Sequence, residues 1–151
     1  MAFRLSNGAF RNGEATPKRY TQEGENLSPP LRWEDAPDET KSFALIVEDP
    51  DAPSGTCRHW AVYNIDAGAN NLPEGVSAGE FAQARNYAGR ARYDGPKPPK
   101  GHGPHHYHFR LAAVDVPSLE VRNDANALEL WRAAESHILA EAEFIGTYET
   151  T

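Results

Sequence analysis

The chain has 151 residues, a length typical of one folded domain with a single sizeable core. Its hydrophobic fraction of 39% and charged fraction of 25% are ordinary for a globular protein and argue against wholesale disorder. The formal net charge of -7 disfavours binding to nucleic acid or to anionic membrane surfaces. We therefore expect a single domain over residues 1–151 that binds no nucleic acid.

The sequence also bears on the compartment of the protein. Cys57 is the single cysteine, so no internal disulfide can form, which is typical of a reducing environment. The first residues contain no long apolar run, and no other stretch is long enough to cross a bilayer. We expect a cytoplasmic protein with no signal peptide and no integral membrane segment.

Three apolar runs predict the main strands. Residues 42–47 form a continuous run that is typical of a strand buried on both faces. Residues 58–65, rich in aromatic and branched side chains, and residues 105–114 predict two more strands. Prolines separate these runs and mark loops and edges, because proline cannot donate to a sheet ladder. Residues 68–103 lack a clear period and predict a long, loop-rich connection of the kind that is usually functional.

One helix is predicted near the C-terminus. Asn123 and Asp124 supply a cap, apolar residues then recur near helical spacing from Leu128 to Ile145, and Gly146 is a suitable stop. Strands followed by a helix indicate a mainly β fold, an antiparallel β-sandwich or barrel with a C-terminal helix packed on it.

Strand alternation sorts the residues of the third strand into two faces. One face carries His105, Tyr107 and Phe109, and the other carries His106 and His108. Because Phe109 should face the core, His105 and Tyr107 are expected at the inward mouth of a pocket, where the strand leaves a Gly/Pro loop. A lone buried histidine would more often be satisfied by a backbone carbonyl, so His105 needs neighbouring polar groups to indicate a site.

The first two strands offer such groups. Alternation in the second strand places four residues on one face: His59, Ala61, Tyr63 and Ile65. Asp49 ends the buried first strand, where an unpaired carboxylate would be costly, so we expect a histidine or tyrosine partner for it. Asp51 lies in a good turn sequence and could instead cap backbone amides. We expect Asp49, His59, His105 and Tyr107 to converge on one cavity, with a cis peptide bond before Pro53 to reverse the chain.

Two chemistries for this cavity are weakly supported by the spacing. Metal binding could draw on five histidines, but alternation divides those of the third strand between two faces. The histidines are His59, His102, His105, His106 and His108. Nucleophilic catalysis could use Cys57 or Ser54 with His59 and Asp49, yet nothing resembles a nucleophile elbow. We expect no metal and no cofactor.

Anion binding uses more of these residues. Imidazoles, the Tyr107 hydroxyl and the amides of residues 101–103 can donate to phosphate or carboxylate oxygens. Asp49 can hold an imidazole and can also accept from an ammonium or hydroxyl group of the same ligand. A small anionic or zwitterionic ligand, such as phosphate or a phosphoethanolamine-like head group, therefore fits this pattern best.

A series of ordered motifs resembles the signature of the phosphatidylethanolamine-binding protein family, also called Raf kinase inhibitor-like, and is most similar to its bacterial and archaeal branch. The motifs are Glu25-Asn26-Leu27-Ser28-Pro29-Pro30-Leu31-Arg32-Trp33, Phe43-Ala44-Leu45 leading to Asp49-Pro50-Asp51-Ala52-Pro53, His59-Trp60 with Asn64-Ile65, Gly95-Pro96-Lys97-Pro98-Pro99-Lys100-Gly101, and His105-His106-Tyr107-His108-Phe109.

The resemblance implies a β-sandwich with a C-terminal helix and a small anion pocket that takes phosphate, acetate or phosphoryl head groups. It implies pocket roles for Asp49, Asp51, His59, His105 and Tyr107, with Pro98, Pro99 and Gly101 as the rim. His106 stands where the family usually has arginine, so partner contacts of that arginine are not carried over. The chain ends soon after Gly146, so we also carry over no function of the helical extension found in eukaryotic members.

The function we expect is a small-anion or phosphoryl head-group binding protein with a regulatory or inhibitory role. Family members inhibit kinase cascades or proteases, so a kinase or protease is the protein partner that the resemblance implies, and a homodimer is left open. The alternative is a small hydrolase or phosphoryl-handling enzyme that uses Asp49, His59 and His105.

Overall fold

The structure is a computed structural model that describes residues 2–151. Its strands are, in chain order, β1 (Arg4–Ser6), β2 (Leu31–Glu34), β3 (Ser42–Asp49), β4 (Cys57–Asp66), β5 (Asn71–Leu72), β6 (Ala82–Gln83), β7 (His105–Val114) and β8 (Ile138–Tyr148). They form two antiparallel sheets, one of three strands in the order β1-β2-β5 and one of five in the order β6-β4-β3-β7-β8.

The two sheets pack face to face around the larger core. The small sheet contributes Leu5 and Trp33, and the large sheet contributes Phe43, Leu45 and Leu111, all of them buried. Residues two apart on a strand share a face, so the long strands β3, β4, β7 and β8 each supply several side chains to this layer. The predicted β-sandwich is confirmed.

The helix α1 (Ala127–Glu135) covers the other face of the large sheet. It begins with a capping box in which Glu129 N donates to Asn126 Oδ1 (2.9 Å) and Asn126 N donates to Glu129 Oε1 (3.0 Å). Leu130 and Trp131 pack against a second cluster that includes Ile46 of β3. Because β3 lies between the small sheet and the helix, both of its faces are buried, as its apolar run predicted.

The predicted extent of the helix is wrong. The helix ends at Glu135, a two-residue turn follows, and Ile138–Tyr148 form the edge strand β8, which pairs with β7. Ala142 and Phe144 are buried while Glu141 and Glu143 are exposed, a period of two that fits a half-buried strand. The N-cap is Asn126 and not the predicted Asn123 or Asp124. Pairing with a central strand overrides the helical propensity of this segment.

The prediction that His59, Ala61, Tyr63 and Ile65 share one face of β4 is also wrong in part. Val47 pairs with Trp60 and Glu48 pairs with Arg58, so one extra residue of β4 forms a bulge at His59. After the bulge, Trp60 faces the core between the sheets while Ala61 and Tyr63 pack on the helix side. His59 instead contacts Tyr107, a member of the core between the sheets.

The connection between β3 and β4 reverses without the predicted cis bond. Residues 2–151 contain no cis peptide bond, so the prediction for Pro53 is wrong. The turn instead uses Gly55 at φ 108°, a conformation that glycine adopts freely, and Gly55 N donates to Ala52 O (3.1 Å). Within the same described range, no helix has the length and apolar character needed to cross a bilayer.

Candidate functional site

A cavity of about 150 Å³ lies at one end of the large sheet. Neighbouring strands are antiparallel, so the end of β3 lies beside the beginnings of β4 and β7. The cavity is lined by Asp49, Ala52, Pro53, Cys57, His59, Tyr87, Lys97, Pro98, Pro99, His105 and Tyr107. The predicted convergence of Asp49, His59, His105 and Tyr107 on one cavity is therefore confirmed, although their role in binding a ligand stays a prediction.

Asp49 and His105 form a buried hydrogen-bonded pair. His105 Nδ1 lies 2.7 Å from Asp49 Oδ2, and the two residues are only 2% and 3% exposed. The other carboxylate oxygen, Oδ1, accepts from the backbone amide of Asp51 at 2.8 Å. Asp49 thus has the histidine partner that its position after a buried strand required.

His59 is held in a defined tautomer. Its Nδ1 lies 2.8 Å from the backbone carbonyl oxygen of Asp94, and because a carbonyl can only accept, Nδ1 carries the hydrogen. The ring packs edge-on against Tyr107, with 5.2 Å between centroids. Burial lowers the pKa of His59 from 6.5, and the hydrogen bond to Asp94 offsets only part of this effect. At neutral pH the ring is therefore neutral, with a lone pair on Nε2.

Asp94 is a residue that sequence reasoning missed. Its carboxylate is 1% exposed and accepts hydrogen bonds from Asn26, Asn86, Arg90 and Arg92. Burial alone would raise the pKa of this carboxyl group, but the donors outweigh burial and lower it. These bonds fix the position of the Asp94 carbonyl that holds His59. The signal in the sequence is an acidic residue that follows two closely spaced arginines in a loop.

The predicted rim is only partly at the cavity. Pro98 and Pro99 line it, whereas Gly101 does not and instead makes a turn at φ 78°. The next residue, the exposed His102, brings its Nδ1 to 2.7 Å from His105 Nε2. Both ring nitrogens of His105 are therefore engaged within the protein.

Asp51 lies outside the residues that line the cavity. Its Oδ2 accepts from both the backbone amide and the ring Nδ1 of His106, each at 2.8 Å, on the exposed side of β7. The hydrogen bond from the His106 side chain is the main cause that lowers the pKa of Asp51. Asp51 does cap a backbone amide, as the alternative proposed, but this amide belongs to β7 and not to its own turn.

Five lining residues were not in the predicted binding set: Ala52, Pro53, Cys57, Tyr87 and Lys97. Of these, Cys57 had been considered only as a nucleophile. Burial, with a smaller contribution from Asp49, raises the pKa of Cys57 to about 11, so its sulfur is a thiol at neutral pH. Burial also raises the pKa of Tyr107, which keeps its hydroxyl protonated and able to donate. Lys97 contributes an ammonium group.

Larger depressions elsewhere do not compete as a site. One of about 610 Å³ lies on the outer face of the large sheet and is lined by Glu48, His108, Arg110, Glu141 and Glu143. The charged side chains there already bond to one another, since Arg110 bonds to Glu48 and Glu141 and His108 bonds to Glu143, and the surplus of carboxylates would repel an anion. Among residues 2–151, no group of three histidine, cysteine or acidic side chains is arranged to hold a metal ion.

Comparisons with known proteins support the β-sandwich fold described above. The chain is 42% identical over 156 aligned residues to the UPF0098 protein PH1269 of Pyrococcus horikoshii, covering 99% of this chain and 77% of that protein. Two crystal structures are also similar. The phosphatidylethanolamine-binding protein homologue CT736 of Chlamydia trachomatis has a TM-score of 0.90 and 40% identity over 99% of each chain. YbcL of E. coli, described as a member of the mammalian PEBP family, has a TM-score of 0.94 and 32% identity over 100% of each chain.

The family model described as phosphatidylethanolamine-binding protein matches residues 6–149, nearly the whole chain. The resemblance found in the motifs is thus confirmed, and the chain belongs to the phosphatidylethanolamine-binding protein family.

Proposed function

We propose that this protein binds a small anion or phosphoryl head group, such as phosphate or phosphoethanolamine, in the cavity at the end of the large sheet. The observation that carries the proposal is that the buried Asp49–His105 pair and His59 face one cavity of about 150 Å³. Pockets for drug-sized ligands usually measure about 300 Å³ or more. The smaller volume suits a single phosphate or head group.

The charges around the cavity support an anionic group with a second, hydrogen-donating end. Lys97 carries the one fixed positive charge among the lining residues, and the Tyr107 hydroxyl is a donor. Asp49 adds a carboxylate that would repel a bare anion and would attract an ammonium or hydroxyl group. A phosphoethanolamine-like head group offers both ends.

Calorimetric titration with inorganic phosphate and with phosphoethanolamine tests the proposal. His105→Ala should weaken binding by at least about tenfold, because it removes a buried polar partner of the cavity. His106→Ala is the matched control, since this neighbour is an exposed histidine on the opposite face, and it should change the affinity by less than about twofold. Absence of binding by both ligands, or equal effects of the two variants, would contradict the proposal.

The alternative of a small hydrolase or phosphoryl-handling enzyme has weaker support. The raised pKa of Cys57, about 11, leaves very little thiolate at neutral pH, and the buried Asp49–His105 pair is not placed beside a hydroxyl nucleophile by any hydrogen bond of the described residues. Turnover assays with nitrophenyl phosphate and nitrophenyl acetate would decide between the two functions, since a binding protein should show none above the His105→Ala background.

We also propose a regulatory or inhibitory role in the cytoplasm, with a kinase or protease as the protein partner. Support for the role comes from the family to which the chain belongs, and support for the compartment comes from its single cysteine. Inhibition assays against kinases and proteases test the role, with the His105→Ala variant included to show whether the cavity takes part. Sedimentation analysis tests whether a homodimer forms.

A further inference from the structure

The hydrogen-bonding character of the cavity is unusual for an anion site. The tautomer of His59 is fixed by the Asp94 carbonyl oxygen, which accepts a hydrogen bond from Nδ1 at an N···O distance of 2.8 Å. The polar atom that His59 can offer to the cavity is therefore Nε2, which in the neutral ring has a lone pair and no hydrogen. A neutral His59 can accept a hydrogen bond there but cannot donate one.

His105 has the same arrangement. Its Nδ1 faces the Asp49 carboxylate at 2.7 Å, so this nitrogen carries a hydrogen. In the neutral ring, Nε2 is then an acceptor, and the partner it has in this structure is Nδ1 of His102 at 2.7 Å. As long as the His105 ring is neutral, a ligand that replaces His102 at this nitrogen must also supply a hydrogen.

The remaining wall adds few donors. Asp49 is itself an acceptor, and the rim residues Pro98 and Pro99 have no backbone N–H to offer. Cys57 is a thiol, which donates only weakly. Donors come chiefly from the hydroxyls of Tyr87 and Tyr107 and from Lys97. A fully deprotonated oxoanion bound here would thus place its lone pairs against those of the protein.

We infer that the cavity selects an oxoanion that still carries a hydroxyl hydrogen, such as hydrogen phosphate, over one that carries none, such as sulfate. The inference rests on the proposed function and specifies its ligand class. The hydroxyl hydrogen of the ligand is donated to Nε2 of His59 or His105 or to Asp49, while Tyr107 and Lys97 donate to its other oxygens. A buried acceptor left without a hydrogen is costly, and this cost discriminates against sulfate.

Titration calorimetry of the whole chain with inorganic phosphate and with sulfate, at about pH 8 and equal ionic strength, tests the inference. At this pH the two ions have similar size, and phosphate is chiefly a dianion like sulfate, so they differ mainly in one hydrogen. Phosphate should bind at least about tenfold more tightly than sulfate. Sulfate binding equal to or tighter than phosphate would overturn the inference while leaving the proposed function intact. If neither ion binds, the inference fails, and the proposed function then depends on the titration with phosphoethanolamine.

A charge-neutral variant sharpens the test. Asp49→Asn removes one negative charge from the cavity, so it should raise the affinity for sulfate more than the affinity for phosphate. The ratio of phosphate affinity to sulfate affinity should fall at least about threefold. Asp115→Asn is the control, because it removes the same charge from an exposed aspartate–histidine pair with His137, where the Oδ1–Nδ1 distance is 2.9 Å. It should leave the ratio unchanged. The same ratio of phosphate affinity to sulfate affinity in Asp49→Asn and in the control would contradict the inference. If Asp49→Asn does not fold, the ratio measured for the unaltered protein decides alone.

Discussion

Two aspartate–histidine pairs lie side by side where β3 ends next to the beginning of β7, and they face opposite ways. Asp49 bonds to His105 at 2.7 Å, with side chains 4% and 2% exposed. Asp51 bonds to His106 at 2.8 Å, with side chains 41% and 53% exposed. The residue types and the bond lengths match, so the two pairs differ chiefly in their access to water.

The comparison shows how one strand produces two environments from the same chemistry. Successive residues of β7 point to opposite faces, so His105 enters the cavity and His106 enters solvent. Water can replace either partner of the exposed pair at little cost, whereas the buried pair has no such substitute. The inner pair can therefore create a site, and the outer pair serves to tie the loop after β3 to β7.

The largest expected difference between the pairs is in stability. Asp49→Ala should lower the free energy of unfolding by about 2–4 kcal/mol, because it leaves the buried Nδ1–H of His105 and the amide of Asp51 without their acceptor. Asp51→Ala should lower it by about 1 kcal/mol or less, as for other exposed pairs. Urea unfolding of both variants at neutral pH measures the difference.

Neutral pH is the right condition because the pKa of Asp51 is lowered, chiefly by the His106 side chain. A lowered carboxyl pKa stabilises the folded state above the ordinary value of 3.8 and loses this effect as pH falls through the lower folded value. At neutral pH the contribution of Asp51 is thus fully present. Equal losses for the two variants would show that the burial of the inner pair has no energetic consequence.

The second difference concerns the response to pH. His59 is neutral at about pH 8, and lowering the pH to about 5.5 should convert part of it to a cation that donates to an anion, so affinity for sulfate should rise about fivefold or more. The titratable groups that share the cavity with His59 are Asp49, Cys57, Tyr87, Lys97, His105 and Tyr107, and the carbonyl of Asp94 contacts its Nδ1. Because burial lowers its pKa from 6.5, the gain is confined to pH values below 6.5.

Sulfate is the suitable probe because its charge does not change over this range. His59→Gln should flatten the response, and His106→Ala should preserve it. Without ligand, the lowered pKa of His59 means that the unfolded chain binds the proton first, so stability falls as pH drops below 6.5, and folding must be checked by circular dichroism at each pH. The same sulfate affinity at both pH values would contradict a role for the inner histidines.

Much of the fold and of the site could be predicted because their signals are local. The apolar run of β3 and the alternation in β7 fix burial directly, and they place His105 and Tyr107 inside and His106 outside. The need to satisfy a carboxylate at a buried strand end pointed to a histidine partner for Asp49, and that partner proved to be His105.

What could not be predicted depends on contacts between distant segments. The bulge at His59 arises from the pairing of β4 with β3, and β8 is a strand only because it pairs with β7. The role of Asp94 requires knowledge that a distant loop closes over His59. Gly101 was assigned to the rim by resemblance, yet it does not line the cavity, and it is its neighbour His102 that contacts the lining residue His105, in an orientation that no sequence pattern specifies.

The smallest expected effect concerns this neighbour, which connects the inner pair to solvent. His102 lies in an exposed turn between Gly101 at φ 78° and Gly103 at φ 82°. Its Nδ1 is hydrogen-bonded to Nε2 of His105, the nitrogen that a ligand would need. His102→Ala should therefore strengthen phosphate binding by about twofold to fivefold, since an exposed hydrogen bond contributes at most about 1 kcal/mol. Calorimetry measures the change, with His108→Ala as the control for loss of a histidine that does not line the cavity. Weaker binding by His102→Ala would mean that this ring contacts the ligand, in which case the inner site extends into the loop.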